Sequence, residues 1–156
     1  MSCLTLASIP MLFTLHLTSL CIAGLLQSVS KADCAAIIHA WPLMTSLELF
    51  SPVISFDCLI ELASGLPNLN NLKLNVDCKD PPVIQDIPIL SSKVSTLEFY
   101  YKSFPPKDPF HLAACLDRLF PEINSQINQS TGKDKWKWEQ TIKLLEIQQR
   151  SRKIRE

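Results

Sequence analysis

The side chains in this chain that could move a proton, hold a metal or attack a carbonyl are three histidines, six cysteines and fifteen acids. Their spacing serves none of those chemistries. His16, His39 and His111 lie far apart, and none has another histidine within a helical turn, as a helical metal site would need. The cysteines at 3, 21, 34, 58, 78 and 115 form no C-x-x-C pair. No G-x-S-x-G, P-loop or G-x-G-x-x-G motif occurs, and three glycines leave little material for a loop that cradles phosphate. The expectation is a protein that is not an enzyme, with no catalytic residues, no metal, no cofactor and no small-molecule substrate. Cys34 and Cys58 fall on predicted helices, where a free thiol acts as a small core residue. They read as reduced thiols of an intracellular, cytoplasmic or nuclear protein rather than as a disulfide framework.

Composition agrees with a binding role more than a chemical one. The chain has 156 residues, 47% of them hydrophobic and 19% charged, enough for one domain with a core. Formal net charge is zero, so nothing global attracts nucleic acid. The charge is uneven along the chain: residues 133–156 hold eight Lys/Arg against four Asp/Glu, and residues 31–132 hold seven against eleven. A basic segment of this kind could bind nucleic acid or an acidic membrane surface, but a solvated helix is the commoner case.

The elements that position these side chains repeat. Leu66-Pro67-Asn68-Leu69-Asn70-Asn71-Leu72-Lys73-Leu74 ends in Leu-x-x-Leu-x-Leu, a short strand with an apolar anchor before it. Trp41-Pro42-Leu43-Met44-Thr45-Ser46-Leu47-Glu48-Leu49, Val94-Ser95-Thr96-Leu97-Glu98-Phe99 and Leu17-Thr18-Ser19-Leu20-Cys21-Ile22 follow the same pattern. The middle leucines, Leu20, Leu47, Leu72 and Leu97, step by 27, 25 and 25 residues. Between them Cys34, Ile37, Ile38 and Trp41 have helical spacing, and Leu59, Leu62, Ala63 and Leu66 repeat it 25 residues on. A strand-plus-helix unit of this size cannot bury its apolar side alone, whereas stacked neighbours can. The spacing therefore predicts an α/β solenoid of about four units, with short parallel strands on one face, helices on the other and a C-terminal helix.

In chain order, residues 1–30 carry no charged side chain. A secretory signal would want a positive n-region, which is missing, and Pro10 interrupts the apolar run that a signal or membrane helix requires. The reading adopted places Leu17, Leu20 and Ile22 in a strand of the repeat, with residues 1–13 as the remnant of a preceding unit or an apolar N-terminal segment. The alternative is a membrane-anchored or secreted repeat protein that uses residues 1–26 as anchor or signal. Ser30 and Asp33 predict a capped helix to about residue 40, Asp57 is placed at the start of a second helix, and Gly65 at its end with positive φ. Three prolines between residues 81 and 88 predict an irregular loop. Asp108 and Pro109 begin a third helix. Residues 14–123 are assigned to the repeat domain, 124–133 to a polar linker containing the sequon Asn128-Gln129-Ser130, and 134–156 to a basic helix with Trp138, Ile142 and Leu145 on one face.

In Leu-x-x-Leu-x-Leu the leucines point inward and the residues between them face solvent. Register then predicts three exposed rows: Ser46, Asn71 and Thr96; Glu48, Lys73 and Glu98; and Phe50, Asn75 and Tyr100. These nine residues are the candidate partner-binding surface, with the two aromatic residues as anchors.

The strand pattern resembles the leucine-rich repeat family in its strand-helix form. The Trp41-Pro42 and Leu66-Pro67 entries, and Cys115-Leu116-Asp117-Arg118-Leu119-Phe120-Pro121 with a Trp-containing helix after it, resemble the repeat region of fungal F-box proteins. Where that family often has Asn or Cys three residues after the last strand leucine, this chain has Leu25, Pro52, Asp77 and Lys102, which predicts irregular turns. The resemblance implies a protein-interaction scaffold with a protein partner, such as the substrate-recognition part of an F-box ubiquitin-ligase subunit whose F-box is missing from this chain, and so a place in ubiquitin-dependent degradation. An unpaired outer strand at 17–22 would in addition favour self-association.

Overall fold

Three of the helices begin where a side-chain oxygen caps them. The computed structural model describes residues 5–24, 26–100, 102–123 and 134–155; the predicted linker and sequon at 124–133 lie outside the described residues. Helix α1, Lys31–Ala40, has Ser30 at its N-cap, and the Asp33 carboxylate accepts from the Ser30 N–H at 2.8 Å in a reciprocal capping box. Helix α2, Phe56–Gly65, is capped by Ser55, whose hydroxyl accepts from the Cys58 N–H, so the helix starts one residue before Asp57. Helix α3, Pro109–Leu119, has Asp108 accepting from two backbone N–H groups and Pro109 at its first position. Helix α4 is Lys135–Arg155.

Four strands, β1 Ser19–Ile22, β2 Ser46–Ser55, β3 Asn71–Asp77 and β4 Thr96–Phe99, form one parallel sheet in chain order. Leu20 lies beside Leu47, Leu47 beside Leu72 and Leu72 beside Leu97, the register the 27- and 25-residue steps predict. Leu47, Leu72 and Leu97 are fully buried, whereas Leu20 and Ile22 on the outer strand are half-buried. One cluster of buried side chains runs from Leu6 through the strand leucines and helices α1, α2 and α3 to Trp138 and Leu145 of α4. The N-terminal residues enter that cluster through two 3-10 turns, Leu6–Ser8 and Pro10–Thr14, with the Phe13 ring stacked on Trp41 at 5.2 Å. No helix among the described residues is long and apolar enough to cross a membrane.

The proline-rich segment is irregular apart from a single 3-10 turn, Ile84–Asp86. Gly65 differs from its predicted role. Its φ is not positive, and Gly24, at φ 80°, is the positive-φ residue among those described. A Cβ on Gly65 would lie 2.4 Å from Ile38 Cδ1, so the missing side chain lets α2 approach α1. Helix α4 buries Trp138, Thr141, Leu145 and Gln149 along one stripe and packs on α3, where Arg152 pairs with Asp117 and Gln149 donates to the Phe120 carbonyl at 3.1 Å. Trp136 stands exposed beside that stripe.

Two stability outcomes follow from this packing. Leu72→Ala should cost about 2–5 kcal/mol by denaturant unfolding, since it empties a fully enclosed site; a loss below roughly 1 kcal/mol would mean that the leucine ladder is not the core. Gly65→Ala should destabilise by about 1–3 kcal/mol through overpacking. On an Ile38→Ala background the same change should cost much less, because the three nearest atoms to the added Cβ all belong to the Ile38 side chain.

Candidate functional site

The solvent side of the sheet brings most of the predicted rows together. Ser46, Asn71 and Thr96 are aligned, and the Asn71 amide donates to the Ser46 hydroxyl and the Glu48 carboxylate, each at 3.0 Å. In the next row Lys73 Nζ lies 3.4 Å from Glu48 and 3.6 Å from Glu98. Side-chain exposures of 26%, 20% and 20% for Lys73, Glu48 and Glu98 place this triad partly out of water, where unlike charges attract more than at an open surface.

The third row is not a row. Register between β2 and β3 holds through Leu49–Leu74 and then jumps, so that Val53 and not Phe50 lies beside Asn75. The cause is Pro52. It has no N–H for the ladder, and a proline inside a central strand needs a bulge. Phe50, Ser51 and Pro52 therefore leave the ladder, and pairing resumes with Val53. On the other side of β3 the chain after β4 also departs: Tyr100 N–H still bonds the Leu74 carbonyl, but the next bond to β3 comes from Phe104 N–H to the Val76 carbonyl.

Asn75 is accordingly a correction to the candidate surface. It is completely buried. Its amide donates to the Phe50 carbonyl at 2.8 Å and its side-chain carbonyl accepts from the Lys102 N–H at 2.9 Å, satisfying one backbone group of each neighbouring bulge. Serines do the same work nearby: Ser51 accepts from Gly24 N–H at 2.6 Å and Ser103 from Val76 N–H at 3.0 Å. Neither serine was distinguished by sequence reasoning, although Pro52 in a strand was a signal that a bulge must follow.

The rings carried by the two flanking segments meet. Phe50 and Tyr100 stack with centroids 4.4 Å apart and planes inclined by 26°. Strands two apart would be separated by about 9.6 Å, so straight backbones would not bring the rings into contact this way. Burial and the neighbouring Glu48 and Glu98 carboxylates push the Tyr100 phenol above its ordinary range, so it stays a neutral donor. Beside the stack is an open hollow of about 770 Å³, lined by Gly24, Leu26, Phe50, Ser51 and Lys102. The site thus consists of a flat charged triad, a polar row and a stacked aromatic pair next to a concavity.

The residues with chemical potential are placed elsewhere. His16 and His39 are exposed, and His111 contacts the Pro82 carbonyl at 2.8 Å. Among the described residues no group of three His, Cys, Asp or Glu side chains is arranged to hold a metal. Burial pushes the thiols of Cys34, Cys78 and Cys115 up, that of Cys115 to about 11, which keeps them protonated at neutral pH. Comparison of the chain with protein-family models, with curated proteins and with solved structures finds no match.

Asn75→Ala should destabilise by about 1–3 kcal/mol, because it strands a carbonyl and an N–H beneath the aromatic pair. Asn71→Ala, whose partners reach solvent, should cost less in the same urea titration.

Proposed function

We propose that this chain is a leucine-rich-repeat solenoid that works as a non-catalytic protein-interaction scaffold, and that its partner lies across the strand face. The observation that carries the reading is the stacked Phe50–Tyr100 pair standing beside the Glu48–Lys73–Glu98 triad. Aromatic side chains dominate interface energetics, while charges around them set orientation and association rate. Ser46, Asn71 and Thr96 extend the same surface. Four parallel strands in chain order, with α1 and α2 between the first three and α3 after the fourth, support the repeat reading. The substrate-recognition part of an F-box ubiquitin-ligase subunit is the form of scaffold we favour, on the sequence resemblance. Burial of Leu6 and Leu26 and the pairing of Ser19–Ile22 with β2 favour reading residues 5–26 as part of this fold rather than as an anchor or signal.

Partner capture from cell extract, read by mass spectrometry, tests this. The double change Phe50→Ala with Tyr100→Ala should abolish capture while the circular dichroism spectrum stays that of a folded chain. If that variant keeps its partners and an α4-surface variant loses them, the strand face is a solvated surface and the assignment is wrong. Lys73→Glu should put three like charges in one row and weaken capture more at 0.01 M than at 1 M salt, conditions in which the screening length falls from about 30 Å to about 3 Å.

A further inference from the structure

Helix α4 carries two apolar stripes, and packing of the fold accounts for one of them. Trp138, Thr141, Leu145 and Gln149 form the buried stripe. Trp136, Ile147 and Ile154 form the second. They step by 11 and then 7 residues, which returns each to the same side of an α-helix, and they are 56%, 60% and 84% exposed. At about 3.6 residues per turn that side is opposite the buried stripe. Lys143 and Arg150 lie on it too, each one turn before an isoleucine, exposed and in no ion pair among the described residues. Glu139 pairs with Lys135 at 3.6 Å on one flank, and the helical spacing puts Glu146 on that flank as well, so the outward side holds no acid. On the other flank, between α3 and α4, is an open hollow of about 490 Å³ whose lining includes Ile147, Arg118, Arg152 and Arg155. The carboxylate in that lining, Asp117, is paired with Arg152, and Arg118 Nε donates to the Ile87 carbonyl at 2.8 Å. Single exposed apolar residues are ordinary. A tryptophan and two isoleucines in line, with cations between them, match a helix that lies in a membrane interface.

We propose that the outward side of α4 is a docking surface for an acidic phospholipid bilayer. The helix lies flat on it, with Trp136, Ile147 and Ile154 at the acyl boundary. Headgroup phosphates are held by Lys143, Arg150 and the guanidiniums of the hollow. Charge and polarity together select this occupant. Residues 133–156 hold eight Lys/Arg against four Asp/Glu, and residues 31–132 hold seven against eleven. An anionic plane therefore attracts the α4 part of the chain and repels the rest, which turns this side toward it. A nucleic acid would meet the same cations, but its phosphate backbone gives two isoleucines nothing apolar to enter. A bilayer surface takes both, since long basic side chains reach the phosphates while their stems and the apolar residues sink toward the acyl chains. With 21 residues and this charge, α4 lies along a membrane and is not apolar enough to cross one.

Cosedimentation of the whole chain with phosphatidylcholine vesicles, with and without phosphatidylserine, tests the proposal. Binding should require phosphatidylserine and weaken as salt is added. Lys143→Gln with Arg150→Gln should weaken it about thirtyfold, at about 1 kcal/mol for each basic residue near the surface. Ile147→Ser with Ile154→Ser leaves every charge in place and should still weaken it about tenfold or more. Tryptophan emission of the wild type should shift to the blue on the vesicles, and Trp136→Phe should bind but lose that shift. All five side chains are exposed, so the variants should keep the wild-type circular dichroism spectrum; if the isoleucine variant does not fold, the wild-type emission shift decides the apolar part. Absence of binding to phosphatidylserine vesicles, or equal binding to phosphatidylcholine alone, overturns the proposal. Duplex DNA or polyglutamate bound as tightly as the vesicles, with no emission shift on the vesicles, overturns it equally and assigns the cations to a soluble polyanion.

Discussion

Parallel pairing of Leu20, Leu47, Leu72 and Leu97 is the constraint from which the rest of this structure follows. A short strand with at most one helix beside it has no interior of its own. Its leucines are removed from water only when the next strand lies beside it in the same register, and the near-constant spacing of the middle leucines along the chain makes that register available at each step. Once the leucines are aligned, the residues between them are aligned too, on the opposite face. The charged triad is thus a by-product of core packing: Glu48, Lys73 and Glu98 are neighbours because Leu47, Leu72 and Leu97 are.

A second, more local interaction shapes the surface. Asn75 occupies a position where a short polar side chain can serve two backbone segments at once, one from each neighbour. A buried polar side chain is tolerated only when its hydrogen bonds are made. Asn75 makes one in each direction, and in doing so it pins both bulges. The aromatic pair rests on this arrangement. Its two rings belong to segments 50 residues apart, each at the point where its segment leaves regular pairing with β3.

The sequence carried much of this plainly and some of it obscurely. Strand positions and register were legible because leucine spacing records them directly, and the caps of α1 and α3 were legible because Ser30, Asp33, Asp108 and Pro109 have few other uses in those places. The start of α2 was displaced by one residue because Ser55 and Asp57 both accept hydrogen bonds well, and nothing local chooses between them. Gly65 was misread because its role depends on Ile38, 27 positions earlier, which no local pattern reports. The aromatic row was half legible. Uniform register put Phe50 and Tyr100 near each other, but for the wrong reason, and it placed Asn75 in solvent. Pro52 contained the missing information, since a strand cannot keep its ladder through a residue that has no N–H to give.

Paired strand residues in this sheet are separated by only 22 to 27 positions along the chain. Assembly of such a molecule needs no early meeting of distant ends. Pairing β2 with β3 closes one modest loop around α2, and each of the other strand pairs closes a loop of similar length and similar entropic cost. β1 gains least from its place in the sheet, having a neighbour on one side and half-buried leucine and isoleucine on its inner face. A polypeptide built this way makes its sheet contacts between neighbours along the chain, and no strand pair has to wait for the two ends to meet.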